Sequence, residues 1–400
     1  MKILIIYRHY WPDTPPLGSM LRTIAENLAA RGHRVYVYTA APSYQANGAP
    51  SGELLAKREF KGGVRVIRAP LLTETGGKLR RIINWNAYLV SALSYAARHR
   101  FDLVWTGTLP PVIGGVVGAL SAKGAGARFL YHVQDIYPEA AIASGLMRKG
   151  IGSRVLAGID SWTCRRASAV TVLSQDMMRT IADRGGNGAV AFHVMNNFVQ
   201  AELAAEGPLP ERVGDDRFRL VFSGNLGRFQ NLDLLIEAMA LIKPEEGIAL
   251  EFIGSGAAEA RLRETVKARG LSHVSFQARL PSDEAFRLTR TADLGVISLV
   301  PGMYRVSYPS KLMTYLAAGL PVLALIEPDS DLAGYLAAND AGVAVQGDAA
   351  AVAEAIRQCR DRYASAEGVS PRIEALAERE FGREAAKERW ARLIDTFVSD

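Results

Sequence analysis

The chain has 400 residues, 49% hydrophobic and 22% charged, which excludes wholesale disorder and is more than one hydrophobic core usually serves. Its net charge of +6 is uneven: residues 1–200 hold 24 Lys and Arg against 11 Asp and Glu, and residues 201–400 hold 23 against 30. A basic half joined to an acidic half points to two domains with different partners. With one cysteine in each half, Cys164 and Cys359, a disulfide framework and a C-x-x-C redox pair are excluded, and a reducing cytoplasm is the expected setting.

Short apolar runs alternate with amphipathic stretches. Strands are predicted at Lys2–Ile6, Val35–Thr39, Val64–Ala69, Leu103–Trp105, Phe129–Val133 and Ala169–Leu173, with a helix over Gly18–Arg31. Tyr7, Arg8 and His9 end the first run too early for a signal peptide, and the apolar stretch Val112–Ala122 is too short to span a bilayer. Any membrane contact is therefore expected to be peripheral. Residues 201–217, polar and interrupted by Pro and Gly, read as a linker. A second series follows, with strands at Leu220–Ser223, Leu250–Ile253, Val274–Phe276, Leu294–Ser298 and Val322–Leu325, then a charged helical tail from Ala349. This rhythm predicts an α/β protein of two doubly wound, Rossmann-like domains facing a central cleft. The expected divisions are 1–200, the linker 201–217, 218–380, and a terminal helix over 381–400 packing back on the first domain.

Four strand-to-helix junctions suit a phosphate. Gly18, with Ser19, opens the first helix, although a plain capped turn fits equally well. Gly224-Asn225-Leu226-Gly227-Arg228 follows the first strand of the second half, with Arg228 as a charged fork. Gly254-Ser255-Gly256 lacks the third small residue of a dinucleotide fingerprint, since Glu259 stands there; this disfavours an NAD enzyme and favours a tight turn. Ser310 and Lys311 stand at the start of a helix closed by Gly319, where a lysine is unfavourable unless an anion offsets it.

Taken in order, these pieces resemble the family 4 retaining glycosyltransferases, which have the GT-B fold. The carrying segments are the Gly18 region, Leu28–Thr39, Asn196-Asn197-Phe198, Ser223–Leu235 and Pro309–Val322. Within that family the chain is most similar to the exopolysaccharide and O-antigen branch, including colanic-acid and N-acetylfucosamine-type transferases, where the Tyr131–Ile136 segment is also matched. The resemblance implies a nucleotide-diphosphate-sugar donor and a lipid-diphosphate-linked saccharide acceptor. Donor binding falls on Gly18, Gly224, Asn225, Arg228, Gly254, Arg279, Ser310, Lys311 and Thr314, and catalysis on His132, Asp135, Arg228 and Lys311. Acceptor binding falls on Asp135 and Glu139, although Asp135 equally suits a helix cap; His132 is expected at a strand end facing the cleft, the alternative being a histidine satisfied within the core.

The chain departs from the family where E-x7-E is usual: Val306 and Thr314 stand there, and Gln230-Asn231 replaces the usual Lys-Gly pair. No cofactor and no metal is expected, since Asp329-Ser330-Asp331 reads better as a helix cap. The basic clusters Lys57-Arg58, Lys78/Arg80/Arg81, Arg98/Arg100, Arg148-Lys149 and Arg165-Arg166 form no nucleic-acid motif. They fit an anionic membrane surface, with the charged end of Lys78–Arg100 as the contact, and a cytoplasmic enzyme peripheral on the inner face of the plasma membrane. Alternatives with the same architecture are a sugar-nucleotide 2-epimerase and a non-catalytic sugar-nucleotide-binding protein.

Overall fold

The computed structural model describes residues 1–11, 16–40, 58–69, 78–199, 216–364 and 369–399. The chain divides into two compact units: one takes residues 1–142, 147–196 and the chain from Ala386 onward, the other residues 143–146 and 197–385. The division at Asn196 and Asn197 comes slightly before the expected linker, of which residues 201–215 lie outside the described residues.

Among the described residues the first unit has eight strands: β1 (Lys2–Ile6), β2 (Arg34–Thr39), β3 (Arg58–Lys61), β4 (Val64–Arg68), β5 (Leu103–Gly107), β6 (Arg128–His132), β7 (Ala169–Val172) and β8 (Phe192–Val194). Their order is β3-β4-β2-β1-β5-β6-β7-β8. All neighbours are parallel except β3, which pairs antiparallel with β4 across the Gly62-Gly63 turn. The unbroken apolar runs of the inner strands follow from this topology, since a parallel sheet is covered on both faces. Ile3, Leu4, Ile5, Leu103 and Val104 are all fully buried.

The last helix, Arg383–Ser399, belongs to this unit from Ala386 onward. Its Trp390 stacks on Trp105 of β5 at 4.5 Å between ring centroids. Arg128 Nη1 donates to the Phe397 carbonyl at 2.8 Å, and Asn27 Nδ2 donates to that of Lys387 at 3.3 Å. The helix Lys78–Arg98 forms as expected. The side chains of residues 78–86 lie outside the described residues; beyond them Tyr88, Ala92 and Ala96 face inward and Val90 faces solvent.

Among the described residues the second unit carries six parallel strands: β9 (Phe218–Ser223), β10 (Ile248–Ile253), β11 (Val274–Gln277), β12 (Leu294–Ser298), β13 (Val322–Leu325) and β14 (Gly342–Val345). They run in the order β11-β10-β9-β12-β13-β14. One hydrophobic cluster, including Phe222, Leu235, Ile236, Phe252, Leu294, Val352 and Ile356, fills one side of this sheet. The strand order reverses between β9 and β12, and in the first unit between β1 and β5. Doubly wound sheets bind ligands outside the carboxyl ends of the strands at such a reversal.

Candidate functional site

In the second unit, β9 ends at Ser223 and the chain turns through Gly224, whose φ is +124°. The helix Lys311–Ala317, which follows β12, points its first residue back at this turn. A side chain on Gly224 would lie 3.3 Å from Lys311 Cε and 3.4 Å from its Nζ. The same ammonium stands 4.7 Å from the Phe222 ring centroid. Burial pushes Lys311 down to about 8, and among the described residues no carboxylate pairs with it. A desolvated, unneutralised cation at a topological reversal is costly unless an anion visits it.

Tyr315 fixes the helix to the strand end. Its hydroxyl accepts from the Ser223 N–H at 2.9 Å, and its ring fills the space over Gly295 of β12, where a Cβ would come within 2.5 Å. Sequence reading missed Tyr315. The signal was a buried tyrosine four residues after Lys311, one helical turn on and along the same face.

The turn at Gly224 rests on the next loop. Gly254, with φ +135°, passes so close to the Gly224 carbonyl that an added Cβ would lie 2.1 Å from its oxygen. Leu226 N–H donates to Ser255 O at 3.0 Å, and Ala258 N–H to Leu226 O at 3.0 Å. Gly254 thus supports the turn from beneath. The Asn225 side chain lies against Gly227 and Gly256.

Arg228 opens a short 3-10 turn, is exposed, and has no ion-pair partner among the described residues. Arg279, beyond β11, is likewise exposed and unpaired among them. Ser310 is exposed and its hydroxyl does not cap the helix; Thr314 lies one turn further along, half-buried. Val306 is buried where the family usually has a carboxylate. Ser330, flanked by Asp329 and Asp331, is the residue that caps the helix Asp331–Ala338, accepting from Ala333 N–H at 3.2 Å. Asp329 instead accepts from the Tyr304 hydroxyl at 3.2 Å. No cluster of metal-ligating side chains occurs among the described residues.

The first unit corrects three expectations. Gly18 does not open its helix: it is the buried third residue of Pro16–Ala30, which starts two residues earlier, at a proline suited to a first turn. His132 does not present an open ring, being 2% exposed. Its Nδ1–H donates to Thr171 Oγ1 at 2.7 Å, and its Nε2 accepts from Gln134 Nε2 at 2.5 Å. Trp390 packs edge-on at 5.1 Å, and burial pushes the imidazole down to about 3, keeping it neutral. The ring is satisfied within the core and orients Gln134.

Glu139 is not free for an acceptor. Arg184 holds both of its carboxylate oxygens, while also pairing with Asp160 and donating to Tyr137 O at 2.9 Å. Asp160 in turn accepts from the Tyr131 hydroxyl at 2.8 Å. Asp135 is half-buried beyond β6. Burial first, and its charge second, raise the Tyr7 and Tyr137 hydroxyls above their usual range. Asp135 therefore lies among the groups at the carboxyl ends of β1 and β6.

Two consecutive Rossmann-like units, each with its own strand-order reversal, define the GT-B architecture. Solved structures agree on the fold. Sucrose-phosphate synthase from Thermosynechococcus elongatus superposes with a TM-score of 0.75 at 18% identity, covering 100% of this chain and 99% of that one. Anabaena Alr3699/HepE, solved in complex with UDP, gives 0.70 at 19% identity, covering 99% and 100%. Residues 17–197 match the glycosyl transferase 4-like domain, and residues 217–361 match the glycosyl transferases group 1 domain. The chain belongs to the family 4 GT-B glycosyltransferases. It is similar to the putative colanic acid biosynthesis glycosyl transferase WcaI of Escherichia coli (strain K12), at 27% identity over 361 residues, 86% of this chain and 88% of the relative.

Proposed function

We propose that this enzyme moves a sugar, with retention of anomeric configuration, from a nucleotide-diphosphate-sugar onto a lipid-diphosphate-linked saccharide. The product is a bacterial surface polysaccharide precursor, assembled by the protein as a peripheral enzyme on the inner face of the plasma membrane. The observation that carries this reading is Lys311: a cation desolvated to about 8, without a counter-ion among the described residues, beneath the Gly224 turn. The likeness to a colanic-acid enzyme supports the polysaccharide setting, and UDP in HepE supports a nucleotide donor.

In this mechanism the bond from the anomeric carbon to the leaving phosphate oxygen breaks while the acceptor oxygen bonds to that carbon from the same face. The acceptor's proton passes to the departing phosphate. Positive charge develops on the sugar and negative charge on the phosphate, and fixed cations at the phosphate stabilise the negative charge of the departing group. Lys311 and Arg228 supply those cations, with the N–H of Ser310 beside them. Gly224 leaves the approach clear, Gly254 and Asn225 hold the turn, Thr314 meets the donor, and Arg279 takes the nucleotide end. Asp135 orients the acceptor hydroxyl. His132 acts behind it as a positioning residue through Gln134.

A thermal-shift screen of nucleotide-sugars, followed by NMR of the product made on a lipid-linked acceptor, tests the reading. An α-linked donor giving an α-linked product supports it. An inverted linkage, or turnover of donor without any acceptor, overturns it.

A further inference from the structure

The helix Ile151–Arg166 is built inside out. Ser153, Asp160, Ser161, Thr163 and Cys164 are its buried residues. Its exposed residues include Ile151 at 80%, Val155 at 55% and Ile159 at 37%. These three stand one helical turn apart, and Trp162 continues the line.

The inward face is held by polar contacts that apolar packing does not require. Asp160 pairs with Arg184 and accepts from Tyr131, and Ser161 accepts from Asn187 Nδ2 at 3.3 Å. Burying a carboxylate is expensive even when it is paired. A helix that served only to cover the sheet would turn its isoleucines and valine inward. A contiguous exposed apolar stripe instead marks a surface with a partner.

The charges around the stripe say which partner. Arg148, Lys149, Arg154, Arg165 and Arg166 are all exposed. Arg148, Lys149 and Arg154 have no ion-pair partner among the described residues. The Arg166 guanidinium lies 5.5 Å from the Trp162 ring centroid. Between Glu139 and Asp176 the sequence has no carboxylate except the buried Asp160. An apolar stripe rimmed by cations, with no exposed acid of its own, complements an anionic lipid surface: cations meet the head groups while Ile151, Val155 and Ile159 enter the acyl boundary.

We propose that this face of the Ile151–Arg166 helix is the membrane-docking surface of the enzyme. It rests on the peripheral-membrane part of the function proposed above, and it assigns the contact to this helix rather than to Lys78–Arg98.

The test is flotation of the full chain with vesicles of phosphatidylglycerol and phosphatidylcholine, and with phosphatidylcholine alone. Wild type is expected to float with the anionic vesicles only. The double variant Val155→Glu/Ile159→Glu is expected to lose at least about tenfold in partitioning. Both positions are exposed, so its melting temperature and its turnover of a water-soluble acceptor should stay near wild type. Flotation of the double variant at the wild-type level overturns the helix assignment alone. Failure of wild type to float overturns the membrane reading as well. A wild type that sediments as a dimer, becomes monomeric in the double variant and ignores vesicles shows that a second copy of the chain covers this face, and also overturns the proposal.

Discussion

The ammonium of Lys311 stands 4.7 Å from the centre of the Phe222 ring. Strand and helix thus meet through a cation on an aromatic face, with no carboxylate between them among the described residues. The ring attracts the charge modestly. It does not replace the hydration that burial removes, and the group is left ready for an anion. Lys311→Met and Arg228→Ala are each expected to lower kcat/KM by about two orders of magnitude, the usual scale for a preorganised charge stabiliser. Melting temperature should hold or rise for Lys311→Met, since a desolvated cation is removed. Near wild-type turnover in both variants would sink the diphosphate assignment.

The same lysine sets a pH dependence. Its pKa in the free protein is about 8, so it is charged below that value and neutral above it. A bound diphosphate favours the charged form and raises the pKa. Donor affinity is therefore full below about 8 and falls as pH rises through it, with proton uptake on binding near that pH. A nucleotide-sugar carries no phosphate proton titrating there, which isolates the protein's contribution. Calorimetry in buffers of different ionisation enthalpy measures the uptake, and Lys311→Met should abolish it.

Gly254 tests the floor of the site. Alanine there meets the Gly224 carbonyl oxygen at 2.1 Å and must hold φ at +135°. Both effects push the Gly224 turn away from β10. Gly254→Ala is expected to lower the melting temperature and raise KM for donor at least tenfold. A control at Gly302, where an added Cβ meets nothing within 4 Å, should leave KM alone although its own φ of +77° also strains alanine, if less than +135° does. Equal KM effects in the two variants would mean that backbone strain, and not the Gly224 contact, is what matters.

The strands that bury both faces were legible because an unbroken apolar run has few other uses. β1 and β12 fall on their expected residues. Of the edge strands, β11 falls on the expected Val274–Phe276 with one residue more, while β3, β8 and β14 were not legible. β3 reads Arg-Glu-Phe-Lys and presents no apolar run, and β14 reads Gly-Val-Ala-Val, apolar but only four residues long and opened by a glycine. The Gly62-Gly63 pair between β3 and β4 was a usable hairpin signal. At the site, Gly224 and Lys311 were readable from their junctions. Glu139 was not, because its role depends on Arg184, and for His132 the cleft and core readings could not be separated, because the choice rests on Thr171 and Trp390, all distant in sequence.

His132 carries an acid-stability signature. Its folded pKa of about 3 lies below the ordinary value, so between the two the unfolded chain binds a proton that the folded chain refuses. Its contribution is intact above about 6.5 and is lost as pH falls toward 3, at up to about 1.4 kcal/mol per unit. A series of melting temperatures between neutral and acid pH should therefore fall less steeply for His132→Asn than for wild type, whatever the variant's absolute stability. Parallel curves would show that the ring is hydrated and free to serve in catalysis.

Arg184 separates structure from chemistry. It joins Glu139 to the buried Asp160, and its own charge is favoured by both. Removing it leaves Asp160 buried beside Tyr131 without a cation. Arg184→Met is expected to destabilise the fold by about 3–5 kcal/mol, the scale for breaking a buried pair from one side. Adding Asp160→Asn should restore part of that loss, because the orphaned charge is then gone. Glu139→Gln keeps the shape and removes one charge at the more exposed end of the network, so a smaller fall in stability is expected, with acceptor KM unchanged. Chemical denaturation and acceptor titration on the same preparations decide the matter. An acceptor KM that rises in Glu139→Gln without loss of stability would return this carboxylate to the acceptor, and Arg184 with it.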